Sequence, residues 1–185
     1  MNYNTEREVL KKQLGRKPRN IVEIPVKCAA DYPQVLVTAP VLEDSDGIFP
    51  TTFWLSCPEL NYRIDQLEDQ GMITKIKEKI DAEPHLKSQL MEAHKNYATY
   101  RVNLMTPKQL QELQDKNQGQ YRVLKESGVG GIMEFDGIKC LHTHYAHYLI
   151  NGNNPVGELT HQLLKDKYSK LNPEQCKKKC QVEVE

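Results

Sequence analysis

The chain divides by periodicity into a strand-rich first third and a helical remainder. "NIVEIPVKC" (20–28) and "QVLVTAP" (34–40) are dense in β-branched residues and broken by proline, which predicts two strands with Pro25 at an edge or a bulge. "EDSDG" (43–47) is turn sequence leading into "FPTTFWLSC", so a third strand is expected over about residues 49–56. Ahead of these, Thr5 and Glu8 form a capping-box pattern and Gly15 a stop, which predicts an exposed helix over 5–14. After Ser56 the period changes. Leu60, Ile64 and Leu67 recur at helical spacing, with Ser56 and Glu59 as a second capping box, Pro58 in the first turn and Gly71 as the end. Ile73, Ile76 and Ile80 mark another short helix, and Leu86, Leu90, Ala93, Tyr97 and Leu104 a long one from Pro84 to about Met105. Thr106, Pro107 and Gln109 start the next. "SGVGG" (127–131) reads as a loop, "DGIKCLHTHYAHYLIN" (136–151) as a helix, and "NPVGELTHQLLKDKYSKL" (154–171) as the last.

These elements predict an α+β fold in which a small, mostly antiparallel sheet from residues 20–57 packs against several helices. Residues 1–172 are expected to form a single domain. The remaining residues, 173–185, are charged and have no periodic apolar face, so a loose tail is expected.

Composition narrows the function classes. Lys plus Arg and Asp plus Glu both number 25, giving a formal net charge of zero, so the chain lacks the basic field of a nonspecific nucleic-acid binder. No apolar run is long enough to cross a bilayer, and "MNYNTEREVLKKQLGRK" has no apolar centre of the secretory kind. A soluble, cytoplasmic protein is expected, with its five cysteines reduced.

The chemistry concentrates in "KCLHTHYAHYL" (139–149), one cysteine and three histidines within eight positions. On a helix over 138–151, Cys140, His144 and His147 share one stripe with Asn151, and His142 faces away. With an extended start, Cys140, His142 and His144 share a face and His142 replaces His147. A thiolate and two imidazoles suit Zn²⁺, whose catalytic sites use three protein ligands and leave one position for water. The competing reading is a helix whose thiol is buried and whose histidines serve hydrogen bonding. Cys57, at a strand-to-helix junction, is the candidate ligand or nucleophile from elsewhere, since first-turn amides favour a thiolate.

His94, Tyr97 and Arg101 lie on the apolar side of their helix, which puts a titratable group and a permanent cation toward the core. Arg101 is expected to be paired, or to orient an anionic ligand while His94 shuttles a proton. "GVGG" can present backbone amides to the same anion. Cys176 and Cys180 fall on the tail and stay outside the candidate site.

"QLGRKPRNIVEIPVKC", "FPTTFWLSCPEL", "EAHKNYATYR", "GVGG" and "KCLHTHYAHYLINGNNPVG" together resemble the bacterial family known as domain of unknown function 501, over about Gln13 to Gly157. The chain departs from that pattern after Cys28, where "AADYP" lacks an expected glycine. The resemblance supplies positions and no mechanism. Two functions are carried forward: a Zn-dependent hydrolase acting on a small anionic substrate, and a noncatalytic module in which the same ligands close a structural zinc site and the surface binds another protein.

Overall fold

A computed structural model describes residues 3–41, 47–167 and 173–182. Three strands form one antiparallel sheet in the order β1-β2-β3, with β1 at Ile21–Lys27, β2 at Pro33–Thr38 and β3 at Phe53–Leu55. β2 is the central strand and its valines and leucine are buried on both faces. Val35 and Val37 face the main core with Phe53 and Leu55. Leu36 points the opposite way, into a groove with Leu14 and Trp54 beneath α1 (Tyr3–Leu14). β1 is an edge strand whose register slips between Glu23 and Val26, around Pro25, which has no amide to give to a ladder. Of the turn expected over 43–47, only Gly47 falls within the described residues.

The helices then build one side of the core: α2 (Pro58–Asp69), α3 (Met72–Ala82), α4 (Pro84–Asn103), α5 (Pro107–Lys116), α6 (Gln118–Glu126), α7 (Leu141–Asn151) and α8 (Pro155–Lys167). The expected capping box at Thr106 and Gln109 forms in both directions. That at Ser56 and Glu59 does not. α2 starts from Cys57, and the buried Ser56 hydroxyl has no partner. α5 and α6 are separated by an extended Asn117 whose side chain caps the Gln120 amide.

α4 spans the molecule and α7 lies across the sheet. Phe53 is wedged edge-on between Tyr97 and Tyr100 of α4 and stacks on His147 of α7. α8 folds back on α7 after Gly152, whose positive φ of 71° closes the helix. The crossing is tight at Gly157, where a Cβ would lie 2.3 Å from Tyr148 Cβ and 2.5 Å from the His144 carbonyl. The tail differs from expectation. Residues 173–180 form α9 (Pro173–Cys180), which packs against α1 and α2. Its hold is polar: Lys179 pairs with Glu59, Lys12 donates to the carbonyls of Lys178 and Gln181, and Gln13 Nε2 reaches Cys180 Sγ at 3.2 Å. Apolar periodicity could not announce such a helix.

Candidate functional site

Cys140 is the residue before α7, with an extended backbone (φ −150°, ψ 152°), so α7 begins at Leu141. The sulfur folds over the helix end and lies 3.1 Å from Thr143 Oγ1. Four residues from an extended position do not make a helical turn, so Cys140 and His144 are not brought to one point, as the helical reading required. His142, expected to face away on that reading, is the histidine beside the thiol.

The third member comes from α2. Glu68 Oε1 accepts the Leu141 amide at 2.6 Å and lies 3.3 Å from His142 Nδ1. Glu68, Cys140 and His142 each bring one ligand-capable atom within 4.8 Å of the other two, the sole such trio among the described residues. The other imidazole nitrogen, His142 Nε2, is 3.3 Å from the Asn61 carbonyl and 3.2 Å from Asp65 Oδ1. Each of the three groups is therefore held by a hydrogen bond of its own. All three keep contact with solvent; the side chains of His142 and Glu68 are 22 % and 24 % exposed.

Charge couples the group. Burial opposes the Cys140 thiolate, but hydrogen bonds from His142 and Thr143 outweigh it and hold the thiol below its ordinary value. Burial also opposes the His142 cation, and Cys140 and Glu68 overcome it, raising the imidazole to about 9. The thiol is thus shifted toward thiolate and the ring toward its charged form beside the Glu68 carboxylate, a set of soft and hard donors suited to a cation.

His144 and His147 point the other way, into the core, where both are fully buried. Asn154 organises them. Its Oδ1 accepts the Gly157 amide at the start of α8, and its amide nitrogen lies 3.1 Å from both His144 Nδ1 and His147 Nδ1. Burial depresses His144 to about 3 and His147 to about 4, so both are neutral in ordinary buffers. Through their Nδ1 atoms these two histidines, expected as metal ligands, meet Asn154 at the α7–α8 junction, while their buried Nε2 atoms have no hydrogen-bond partner and lie outside the Glu68–Cys140–His142 trio.

His94 and Arg101, expected in catalytic roles, are both engaged in buried hydrogen bonds. Neither side chain is exposed. His94 Nδ1 accepts the Val129 amide at 3.0 Å, and Nε2 meets the Gly137 carbonyl at 3.2 Å, so both ring nitrogens are engaged. That contact uses a "GVGG" amide expected to face an anion. A Cβ at Gly128 would sit 2.3 Å from His94 Nδ1, so the ring lies directly on the glycine. Burial lowers His94 to about 4, and the Gly137 carbonyl and Asp136 recover only part. Arg101 spends its guanidinium on the carbonyls of Leu124, Pro50, Gly128, Val123 and Ser127. Five donors meet five acceptors. It therefore ties the negative end of α6 to the strand entry, and the anionic-substrate expectation loses its cation. Arg101 is paired as expected, with carbonyls in place of a carboxylate.

Cys57 occupies a different cavity. Burial pushes its thiol up to about 11 against the pull of the Leu60 and Glu59 amides, so desolvation defeats the helix-end effect. Sequence reasoning missed Glu68, Asp65 and Asn154. Asn154 before Pro155 carried a readable N-cap signal; the two acids look like solvated positions on α2.

The family model described as Protein of unknown function (DUF501) matches residues 24–162. The match takes in the second half of β1, all of β2 and β3, α2 with Glu68, and the whole of α7, and the chain belongs to that family. No curated protein and no solved structure matches it. No helix among the described residues is long and apolar enough to cross a membrane.

Proposed function

We propose that this member of the family binds a divalent metal ion, Zn²⁺ by the chemistry of its ligands, through Cys140, His142 and Glu68, and uses it for hydrolysis. The observation that carries this reading is the convergence of one sulfur, one imidazole nitrogen and one carboxylate oxygen within 4.8 Å. Three protein ligands of these types are what a catalytic zinc site uses, and a closed structural site needs a fourth. Cys57, the expected fourth, faces another cavity, which weighs against the structural-module alternative. The surroundings suit ligation. The Asn61 carbonyl and Asp65 on the far nitrogen fix the imidazole, Thr143 fixes the thiol and the Leu141 amide fixes the carboxylate. Bound there, the ion supplies Lewis acidity and an acidified water. His142 must give up its Nδ1 proton for ligation, so uptake is expected to strengthen as pH rises. Five free thiols suit a reducing compartment, the cytoplasm.

X-ray absorption at the zinc edge, on protein carrying Cys176→Ser and Cys180→Ser, tests the ligand set. One sulfur with nitrogen and oxygen neighbours is expected; two or more sulfurs per zinc, or no bound zinc, contradicts it. Hydrolysis is tested with ester, amide and phosphate probes in metal-loaded and chelated protein. Turnover that needs both metal and His142 is expected, and no metal-dependent turnover across the panel removes the hydrolase half.

A second reading has its own support. The Cys140–His142 hydrogen bond with Asp65 on the far nitrogen is also the arrangement of a thiolate nucleophile, its base and an orienting acid. On that reading metal-free protein alkylates fastest at Cys140, and Zn²⁺ inhibits its activity.

A further inference from the structure

A second cluster of soft ligands lies on the opposite face of α2. Cys28, Cys57, Cys176 and Cys180, four of the chain's five cysteines, line one cavity of about 640 Å³. They come from three separate places. Cys28 follows β1 in a turn closed by Cys28 and Tyr32, Cys57 starts α2, and Cys176 and Cys180 stand one turn apart on α9. We propose that these four cysteines form a thiolate site for a soft divalent cation of the Zn²⁺ class, which clips α9 onto α2 and the sheet.

Three observations converge on this site. First, a Cys₄ set is the commonest structural zinc chemistry, and four thiols around one hollow are far more specific than any of them alone. Second, α9 (PEQCKKKC) brings almost nothing apolar except its sulfurs, yet Cys180 is buried and the helix is docked. A helix of 8 residues with polar tethers is marginal by itself, and a metal crosslink supplies the missing hold. Third, the charged groups lining the cavity are compensated, Lys27 by Glu6 and Asp31 and Glu59 by Arg63 and Lys179, so the lining adds no unpaired carboxylate to the four sulfurs. The sulfurs form no trio within 4.8 Å, so closure on one ion draws them inward. The Cys28 turn and α9 are the parts that must shift, since Cys57 is held where β3 meets α2.

This site shares no residue with the one proposed for hydrolysis, and a Cys140→Ser background separates the two. Reduced Cys140→Ser protein is titrated with Co²⁺ alone and then with Zn²⁺. A sulfur-to-cobalt charge-transfer band that saturates at about one ion per chain and is bleached by Zn²⁺ is expected. Adding Cys176→Ser, whose side chain is only partly buried, should weaken Co²⁺ affinity at least about tenfold without loss of helical circular dichroism. Trypsin cleavage at Lys177 to Lys179 should slow at least about tenfold with saturating Zn²⁺ in Cys140→Ser protein, and not after the Cys176 change. No thiolate band, an unchanged band and affinity after Cys176→Ser, or disulfide formation in place of metal uptake overturns the proposal.

Discussion

Glu68 Oε1 on α2 lies 3.3 Å from His142 Nδ1 on α7, while the same oxygen accepts the Leu141 amide at 2.6 Å. One carboxylate thus caps a helix and faces the imidazole of the candidate metal site. The two roles separate in Glu68→Gln, which keeps an oxygen for the amide and loses the charge. Zn²⁺ affinity should fall at least about tenfold, with unfolding free energy lowered by less than about 1 kcal/mol. Calorimetric titration and urea denaturation read the two quantities, and equal losses in both would make Glu68 a structural cap alone.

Arg101→Met removes the cation that five carbonyls share, while keeping much of the stem's volume. The loss should be about 3–5 kcal/mol, the range for breaking a buried charged network. Urea denaturation checks it. A variant as stable as the native chain would mean that the carbonyls find water or other donors.

Tyr97 raises a smaller, sharper case. Its hydroxyl oxygen receives the Thr52 amide at 2.6 Å and the Phe53 amide at 3.2 Å, at the very start of β3. Tyr97→Phe keeps the ring against Phe53 and orphans those donors, so about 1–3 kcal/mol should be lost. Thr52 and Phe53 amides should also exchange faster with solvent than in the native protein, by hydrogen-exchange measurement.

Acid should unfold the protein earlier than its balanced charge suggests. His94 and His147 have folded values of about 4 against an ordinary 6.5, set first by burial. Below 6.5 the unfolded chain takes up protons that the folded chain refuses, so stability is complete above that value and declines as pH falls toward 4. Each imidazole then costs about 2 kcal/mol at pH 5. Asp136 near His94 softens the effect, buried His144 acts in the same direction, and His142, raised to about 9, opposes it by only about 1 kcal/mol between pH 7.5 and 5. Urea midpoints at pH 7.5 and 5 provide the check, and equal midpoints would contradict the neutral, buried assignment.

Local signals were readable from sequence, and distant ones were not. The Thr106–Gln109 box and the Pro25 irregularity involve neighbours in the chain, and both are present. α7 starts at Leu141, five residues after the start of the helix expected over 136–151 and three after the 138 start used for the ligand stripe, because "DGIKC" stays non-helical and is extended at Cys140. That small error changed the ligand set, since it decides whether Cys140 faces His142 or His144. Glu68 was out of reach, because its partner lies 73 residues on in the chain. Arg101 had an expected partner but an unforeseeable one, five carbonyls drawn from residues 50 and 123–128. α9 was hidden because its hold is polar and sulfur-based, with no apolar stripe to betray it.

The central claim is that Cys140, His142 and Glu68 hold one metal ion. Its most direct test is zinc content per folded chain, measured without a histidine tag in native protein and in His142→Ala. The native chain should carry one more equivalent of zinc than the variant, whatever the cysteine cavity holds. Equal content in two folded proteins, or no zinc in either after loading, contradicts the account.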